Sequence, residues 1–250
     1  MVLEGDDGNP IVFDLGTGLR VWGESIDQTV PFEGTALLTH LHWDHVQGLP
    51  FFGPINAAGS SLDVYGPGQS GECLCEAFST FVNPPFFPIH YETLHGEIRF
   101  HDILDIDFEV GPATVRCRPV PHVGLTNGYR VEWDGRSVAY ISDHQEPLGR
   151  PQEVAQSVLE LADNVDVLIH DAQFTPEEYE KRSNWGHCTI RYAVEVAHQA
   201  KARTLVLFHH DPTHDDDVMD ELLAEAQEMA KDLDVRTVIA ASEGLKLTLD

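Results

Sequence analysis

The stretch Thr39-His-Leu-His-Trp-Asp-His45 sets three imidazoles and a carboxylate within six residues. Donors of this kind at this density suit divalent cations better than a packed core. Alternate residues of an extended chain face the same way, so His40 and His42 share a side, while Asp44 and His45 turn into the next element. One segment can therefore serve one ion with two ligands and a neighbouring ion with two more. A pair of ions needs further donors, and candidates stand where strands should end. His122 follows the run 113–117 in Pro119-Val-Pro-His122, Asp143 follows 137–141, and His209 follows the apolar run 204–208. Reactive groups in α/β proteins collect at strand ends. His210, one residue out of phase with His209, and His144, beside Asp143, read as neighbours and not as ligands.

Short β-like runs occur at 11–14, 35–39, 62–65, 113–117, 129–133, 137–141, 165–169, 204–208 and 236–240. Several alternate with period two, and 167–169 and 205–208 read as fully buried strand segments. Helical spacing appears at 152–164, 189–200 and 218–233, the second with an apolar stripe of Ala193, Val194, Val196 and Ala197. Strands come first in hairpin-like pairs and then alternate with helices, which predicts a mixed α/β fold in one domain.

Composition narrows the function. Forty-two acidic against fifteen basic residues give a formal net charge of −27. Such a surface repels phosphate backbones, so a nucleic-acid polymer is disfavoured as a partner. Scarce lysine and abundant aspartate resemble adaptation to high salt, where screening makes a strongly charged surface tolerable. No run of eighteen apolar residues occurs, so no membrane helix is expected. The opening MVLEGDDGNP has neither a basic nor an apolar signal region, which points to the cytoplasm. Cys73 and Cys75 form a CxC pair that reads as two ordinary thiols rather than a metal site.

The donors, HxHxDH followed by His122, Asp143 and His209, resemble the metallo-β-lactamase superfamily in kind and order. The resemblance runs from Phe13-Asp-Leu-Gly-Thr-Gly18 to the C-terminal strand. It implies one metallo-hydrolase domain over 1–250, an αββα sandwich of two mixed sheets flanked by helices. It places His40, His42 and His122 on one divalent ion and Asp44, His45 and His209 on the other. Asp143 bridges them, and Asp44 also counts among the catalytic groups. Zn²⁺ is the expected metal, with Mn²⁺ and Fe²⁺ as alternatives. Relatives usually carry another strand before the region matching residues 1–5, so either that strand is absent or the true start lies upstream.

Trp185-Gly-His-Cys-Thr189 resembles the GHST motif of ribonuclease Z and of the phosphoribosyl cyclic phosphate phosphodiesterase. That likeness makes His187 catalytic and not a ligand. His170-Asp-Ala-Gln-Phe174 resembles the HEATF motif with Asp171 in place of glutamate, which implies that Asp171 orients His187. Cys188 replaces serine and is assigned only packing. Only twenty residues separate His122 from Asp143, enough for a hairpin turning at Asp134-Gly135 but not for the tRNA-clamping arm of ribonuclease Z.

The expected activity is a two-metal phosphodiesterase acting on a small or cyclic phosphodiester. A hydroxide shared by the ions attacks phosphorus, and His187 protonates the departing alkoxide. A ribonuclease Z-like endonuclease, a hydrolase of sulfate esters, lactones or thioesters, and a non-catalytic metal-binding module stay open as alternatives. The expected partner is a small-molecule phosphodiester, with no membrane and with a homodimer left open. Asn83-Pro-Pro-Phe-Phe-Pro88 suits a wall or lid of the substrate pocket, and His90, His95 and His101 read as surface or loop histidines.

Overall fold

Two mixed sheets carry the apolar runs of the sequence, in a computed structural model that describes every residue except Asp7, Ser70 and Asp250. The chain forms two compact units, one of residues 1–104 and 110–112 and one of residues 105–109 and 113–250.

The first unit contains β1 (Val2–Leu3), β2 (Ile11–Phe13), α1 (Gly18–Ser25), β3 (Glu33–Leu37), α2 (Trp43–Val46), β4 (Ser61–Gly66), α3 (Leu74–Phe81) and β5 (Glu97–Asp102). Its strands lie in the order β1-β2-β3-β4-β5, antiparallel only between β1 and β2. Alternate residues of β3 and β4, Ala36, Leu62 and Val64, meet Leu19 of α1, Val46 of α2 and Leu74 and Phe78 of α3 in one apolar cluster. Residues 97–102, a run with no strand expectation, form an edge strand, so His101 is a surface histidine on β5 with its Nε2 2.8 Å from Asp63 Oδ1. One expectation fails here. Cys73 and Cys75 are joined in a disulfide rather than standing as thiols. The Cys73 sulfur accepts a hydrogen bond from Glu76 N, and the Glu76 carboxylate accepts one from Cys73 N, a capping box that starts α3.

The second unit contains β6 (Asp107–Val110), β7 (Ala113–Pro119), β8 (Asn127–Trp133), β9 (Arg136–Ile141), α4 (Gln156–Ala162), β10 (Val167–Asp171), α5 (Pro176–Arg182), α6 (Ile190–Ala200), β11 (Thr204–Phe208), α7 (Asp216–Asp232) and β12 (Thr237–Ala240). Strand order is β12-β11-β10-β9-β8-β7-β6. The β8–β9 hairpin turns at Asp134 and Gly135, both with positive φ, as a two-residue primed turn requires. From β9 to β12 the strands run parallel, and helices fill the crossovers. The apolar stripe of α6 joins Val158 and Leu161 of α4, Ala226 and Ala230 of α7 and Leu205 and Leu207 of β11 in a second core. Thr189 caps α6 by accepting from Tyr192 N at 3.0 Å, and Asp215 caps α7 by accepting from Val218 N at 3.0 Å. Each unit is a mixed sheet with its own helices, the α/β class expected.

Candidate metal centre

In the first unit the chain leaves β3 extended and turns at Trp43 into α2, so the four donors of the opening motif follow a strand end. His40 Nε2 and His42 Nδ1 are 2.8 Å apart, which confirms that alternate residues share a side. His45 Nε2 lies 3.0 Å from Asp44 Oδ2, and His45 Nδ1 lies 2.8 Å from Asp14 Oδ2. A carboxylate only accepts, so the Nδ1 of His45 carries the proton and Nε2 is turned to the Asp44 side. Asp14 is itself fixed by Thr39, whose N and Oγ1 donate to Oδ1 at 2.7 and 2.9 Å. Burial disfavours its charge, but His45 and these hydrogen bonds outweigh burial and hold the carboxyl below the usual range. Gly16 explains the strand-turn motif: a Cβ there would stand 2.5 Å from the carbonyl oxygen of Asp44. Asp14 carries no role in the sequence reading, and an acid at a strand end beside a glycine turn was the only signal for it.

In the second unit three imidazoles converge on Asp143. Its Oδ2 lies 3.6 Å from His122 Nε2, 3.8 Å from His209 Nε2 and 3.8 Å from His187 Nδ1. These separations exceed a hydrogen bond. Ligands about 2.1 Å from a tetrahedral ion lie roughly 3.4 Å apart, so a buried carboxylate with imidazoles at this spacing fits a divalent cation. Asp143, His187 and His209 offer ligand atoms within 4.8 Å of one another. Distance alone does not distinguish the two histidines, but their hydrogen bonds differ. The nitrogen of His187 nearest Asp143 is Nδ1, and it lies 2.9 Å from Asp171 Oδ2. As a ligand it would forfeit that bond, whereas His209 meets Asp143 through Nε2. His210 turns the other way, its Nε2 3.2 Å from the Ala241 carbonyl. His144 pairs with His170 at 2.9 Å, and burial above all keeps its pKa low, so it is a neutral neighbour.

Asp171 reaches His187 in spite of its short side chain. The same carboxylate accepts from His144 N and Gln173 N, both at 3.0 Å, which locks its orientation. Cys188 donates to the Asp171 carbonyl at 3.0 Å, and burial pushes its thiol well up, so it is an inert packing group.

Three further residues hold this half of the centre, and none was singled out from sequence. The Gly186 carbonyl lies 2.7 Å from His122 Nδ1, which must therefore carry the proton and present Nε2 to Asp143. Gly186 has φ +99, and a Cβ there would stand 2.3 Å from His122 Nδ1. Gln145 accepts from Gly186 N at 2.9 Å and donates to Ser183 O at 2.9 Å. Glu146 accepts from Thr189 N and Oγ1 at 3.0 and 2.8 Å, while its own N donates to His187 O at 3.2 Å. The two residues after His144 thus grip the His187 loop from both ends.

The sequence now meets its relatives. Residues 16–210 match the β-lactamase superfamily domain. The chain belongs to the metallo-β-lactamase superfamily. It is 26% identical over 246 residues to ribonuclease Z of Bacillus cereus strain AH820, covering 80% of this chain and 78% of that one. Among solved structures it resembles the metallo-β-lactamase fold protein YhfI of Bacillus subtilis (TM-score 0.71, 19% identity, 98% of this chain and 89% of that one). It also resembles the short form of human tRNase Z (0.70, 19%, 100% and 91%) and a diphosphatase of the PhnP family (0.69, 19%, 100% and 83%). This superfamily member is a metal-dependent hydrolase, and its fold implies divalent metal ions.

A cavity of about 530 Å³ in the second unit is lined by Arg116, Arg118, Arg130 and residues of α4 and the end of α6, and by none of the donors above. Its arginines are already paired. Arg118 meets Asp107 at 2.7 Å and Glu160 at 3.3 Å, and Arg130 meets Glu132 at 2.7 Å and caps α4 through the Leu161 and Asp163 carbonyls. The cavity is an ion-paired seam, and the chemistry lies at the strand ends.

Proposed function

We propose that this hydrolase is a two-metal phosphodiesterase acting on a small or cyclic phosphodiester, with both units working as one domain. In this reading His40, His42 and His122 would hold one ion and Asp44, His45 and His209 the other, with Asp143 as a ligand available to both. Zn²⁺ suits the imidazole-rich set, with Mn²⁺ or Fe²⁺ as alternatives. The observation that carries the proposal is the Asp171–His187 pair beside the Asp143 carboxylate, an acid–base histidine tied off from the ligand set. The ribonuclease Z relatives support phosphodiester chemistry.

Bound divalent ions supply the low-pKa water and neutralise charge on the phosphoryl oxygens. The protein does the rest. Asp14 and the Gly186 carbonyl set the tautomers of His45 and His122. Asp171 takes the Nδ1 proton of His187 as a hydrogen bond, which leaves Nε2 as the atom that delivers a proton to the departing alkoxide, a contribution of about 10²–10⁴-fold.

A second reading, an endonuclease acting on RNA, draws on the same relatives and on the likeness to tRNase Z. Against it stand the net charge of −27 and the short hairpin between His122 and Asp143. The deciding experiment is hydrolysis of bis(p-nitrophenyl) phosphate by Zn²⁺- or Mn²⁺-loaded protein in high KCl, with Asp143→Ala as control and a precursor tRNA as competing substrate. Turnover that vanishes in the variant supports the phosphodiesterase. Cleavage of the tRNA at comparable efficiency favours the endonuclease, and no turnover of either by protein holding two metals rejects both.

A further inference from the structure

The four cysteines are of two kinds. Cys117 and Cys188 are fully buried, and burial pushes the Cys117 thiol up to about 12 and the Cys188 thiol well above its ordinary value. Neither is a nucleophile that solvent can reach. Cys73 and Cys75 are half-buried at the start of α3, in the first unit, and are joined to each other.

A bond across a single intervening residue makes a poor staple. The chain entropy that a disulfide removes from the unfolded state grows with the loop it closes, and this loop is very short. The segment also has other anchors. Cys73 N donates to the Glu76 carboxylate at 2.9 Å, and Leu74 N donates to Asp102 Oδ1 at 2.7 Å. The Leu74 side chain, between the two cysteines, is fully buried in the first core with Phe78. None of these contacts uses the bond between the sulfurs. Opening it therefore leaves the two Cα atoms 5.3 Å apart, inside the span that a disulfide bridges. The helix start also receives the released sulfur. Glu76 N donates to Cys73 Sγ at 3.3 Å, and a sulfur that departs as a thiolate keeps this donor in a charge-assisted bond.

We propose that Cys73 and Cys75 form a reversible thiol–disulfide exchange site whose reductant is a dithiol. A thiolate of the reductant attacks Cys75 Sγ, the bond to Cys73 breaks, and the electron pair leaves on Cys73 Sγ. The second thiolate of the reductant then attacks its own sulfur in the mixed disulfide, and Cys75 leaves as a thiolate. The protein is reduced by two electrons, its two sulfurs take up the protons that the reductant gave up, and the reductant becomes a disulfide. A monothiol is a poor substitute. Cys73 is held beside the mixed disulfide and expels the monothiol before a second one arrives, which closes the ring again. The exchange does not draw on the phosphodiesterase reading, and none of its residues is a candidate metal ligand.

The test treats the folded protein with dithiothreitol or with 2-mercaptoethanol at equal thiol concentration, then alkylates it and maps the cysteines by peptide mass spectrometry. Dithiothreitol opens the bond without denaturant, so that Cys73 and Cys75 are alkylated while Cys117 and Cys188 are not. Circular dichroism is unchanged, and oxidised dithiothreitol closes the bond again. The fraction opened by 2-mercaptoethanol is smaller by about tenfold or more. Cys73→Ser keeps a good helix cap and removes the resolving thiol. Treated with the disulfide of 2-mercaptoethanol, this variant retains a mixed disulfide on Cys75, whereas the reduced wild type passes through it to the closed ring. A bond that opens only in urea makes the pair a structural staple and overturns the proposal. Thiols that stay open in oxidised dithiothreitol, or a lasting monothiol adduct on the wild type, overturn it as well.

Discussion

Replacing Gly186 by alanine tests whether the His187 loop is seated on His122. Three costs add at this position. A side chain at φ +99 is strained by about 1–2 kcal/mol. The new Cβ would fall 2.3 Å from His122 Nδ1 and 2.5 Å from Cε1, and relieving such an overlap costs about 1–3 kcal/mol. Moving the loop or the ring away loses the 2.7 Å bond from His122 to the Gly186 carbonyl, about 1 kcal/mol. The total is about 3–6 kcal/mol, or a fall in Tm of roughly 6–24 °C for a chain of this size. Gly149 provides the control. It has φ +71 with no atom within 4 Å of an added Cβ, so Gly149→Ala carries only the first cost. Urea unfolding of both variants, with metal content measured after gel filtration, should show Gly186→Ala destabilised by about 2–4 kcal/mol more than the control. It should also retain less metal. Equal destabilisation with full metal content would refute the contact.

Other outcomes are open to direct measurement. His187→Ala retains its metals by mass spectrometry and loses about 10²–10⁴-fold in kcat; loss of metal together with activity makes His187 a ligand. Asp14→Asn weakens metal affinity about 10–100-fold in a chelator competition, because His45 loses the carboxylate that orients it, and an unchanged affinity rejects that role. Asp63 concerns pH. The hydrogen bond from Arg99 outweighs partial burial and, with His101, holds its carboxyl below the usual range. Its stabilisation is therefore present above the unfolded pKa of about 3.9 and disappears as pH falls through the lower folded value. The wild type exceeds Asp63→Asn by about 0.2–1 kcal/mol at pH 7, a surface-pair magnitude, and the gap closes below pH 4; a gap constant down to pH 3 contradicts the assignment. Finally, a chain with net charge −27 gains Tm as KCl rises from dilute buffer, and a falling Tm would dismiss screening as a source of stability.

The candidate donors were legible because their chemistry is local: imidazoles and carboxylates at alternate positions after a strand carry the same suggestion wherever the strand lies. The groups that aim them were not. Asp14 meets His45 across 31 residues, Gly186 meets His122 across 64, and Glu146 meets Thr189 across 43. No short pattern records such pairs. Strand β5 escaped because its alternation, Glu-Ile-Arg-Phe-His-Asp, is masked by charge, and its polar side chains serve Asp63 rather than water alone. Helix α5 did leave a signature, Thr175 followed by Pro176 and Glu178, and both halves of that capping box are formed. The disulfide at Cys73 and Cys75 had no counterpart in the composition, since a CxC spacing alone favours neither thiols nor a bond.

His122 and His45 are aimed by different kinds of acceptor, and this affects how the centre responds to mutation. His45 depends on the side chain of Asp14, which a single codon change can remove. His122 depends on a main-chain oxygen, which every amino acid supplies. Substitution cannot delete that acceptor; it can only displace it by reshaping the loop. The two halves therefore have unequal mutational robustness. Under the proposed ligand set, drift in metal preference has an easy route through Asp14, while His122 keeps its ring orientation for as long as residue 186 remains free of a side chain.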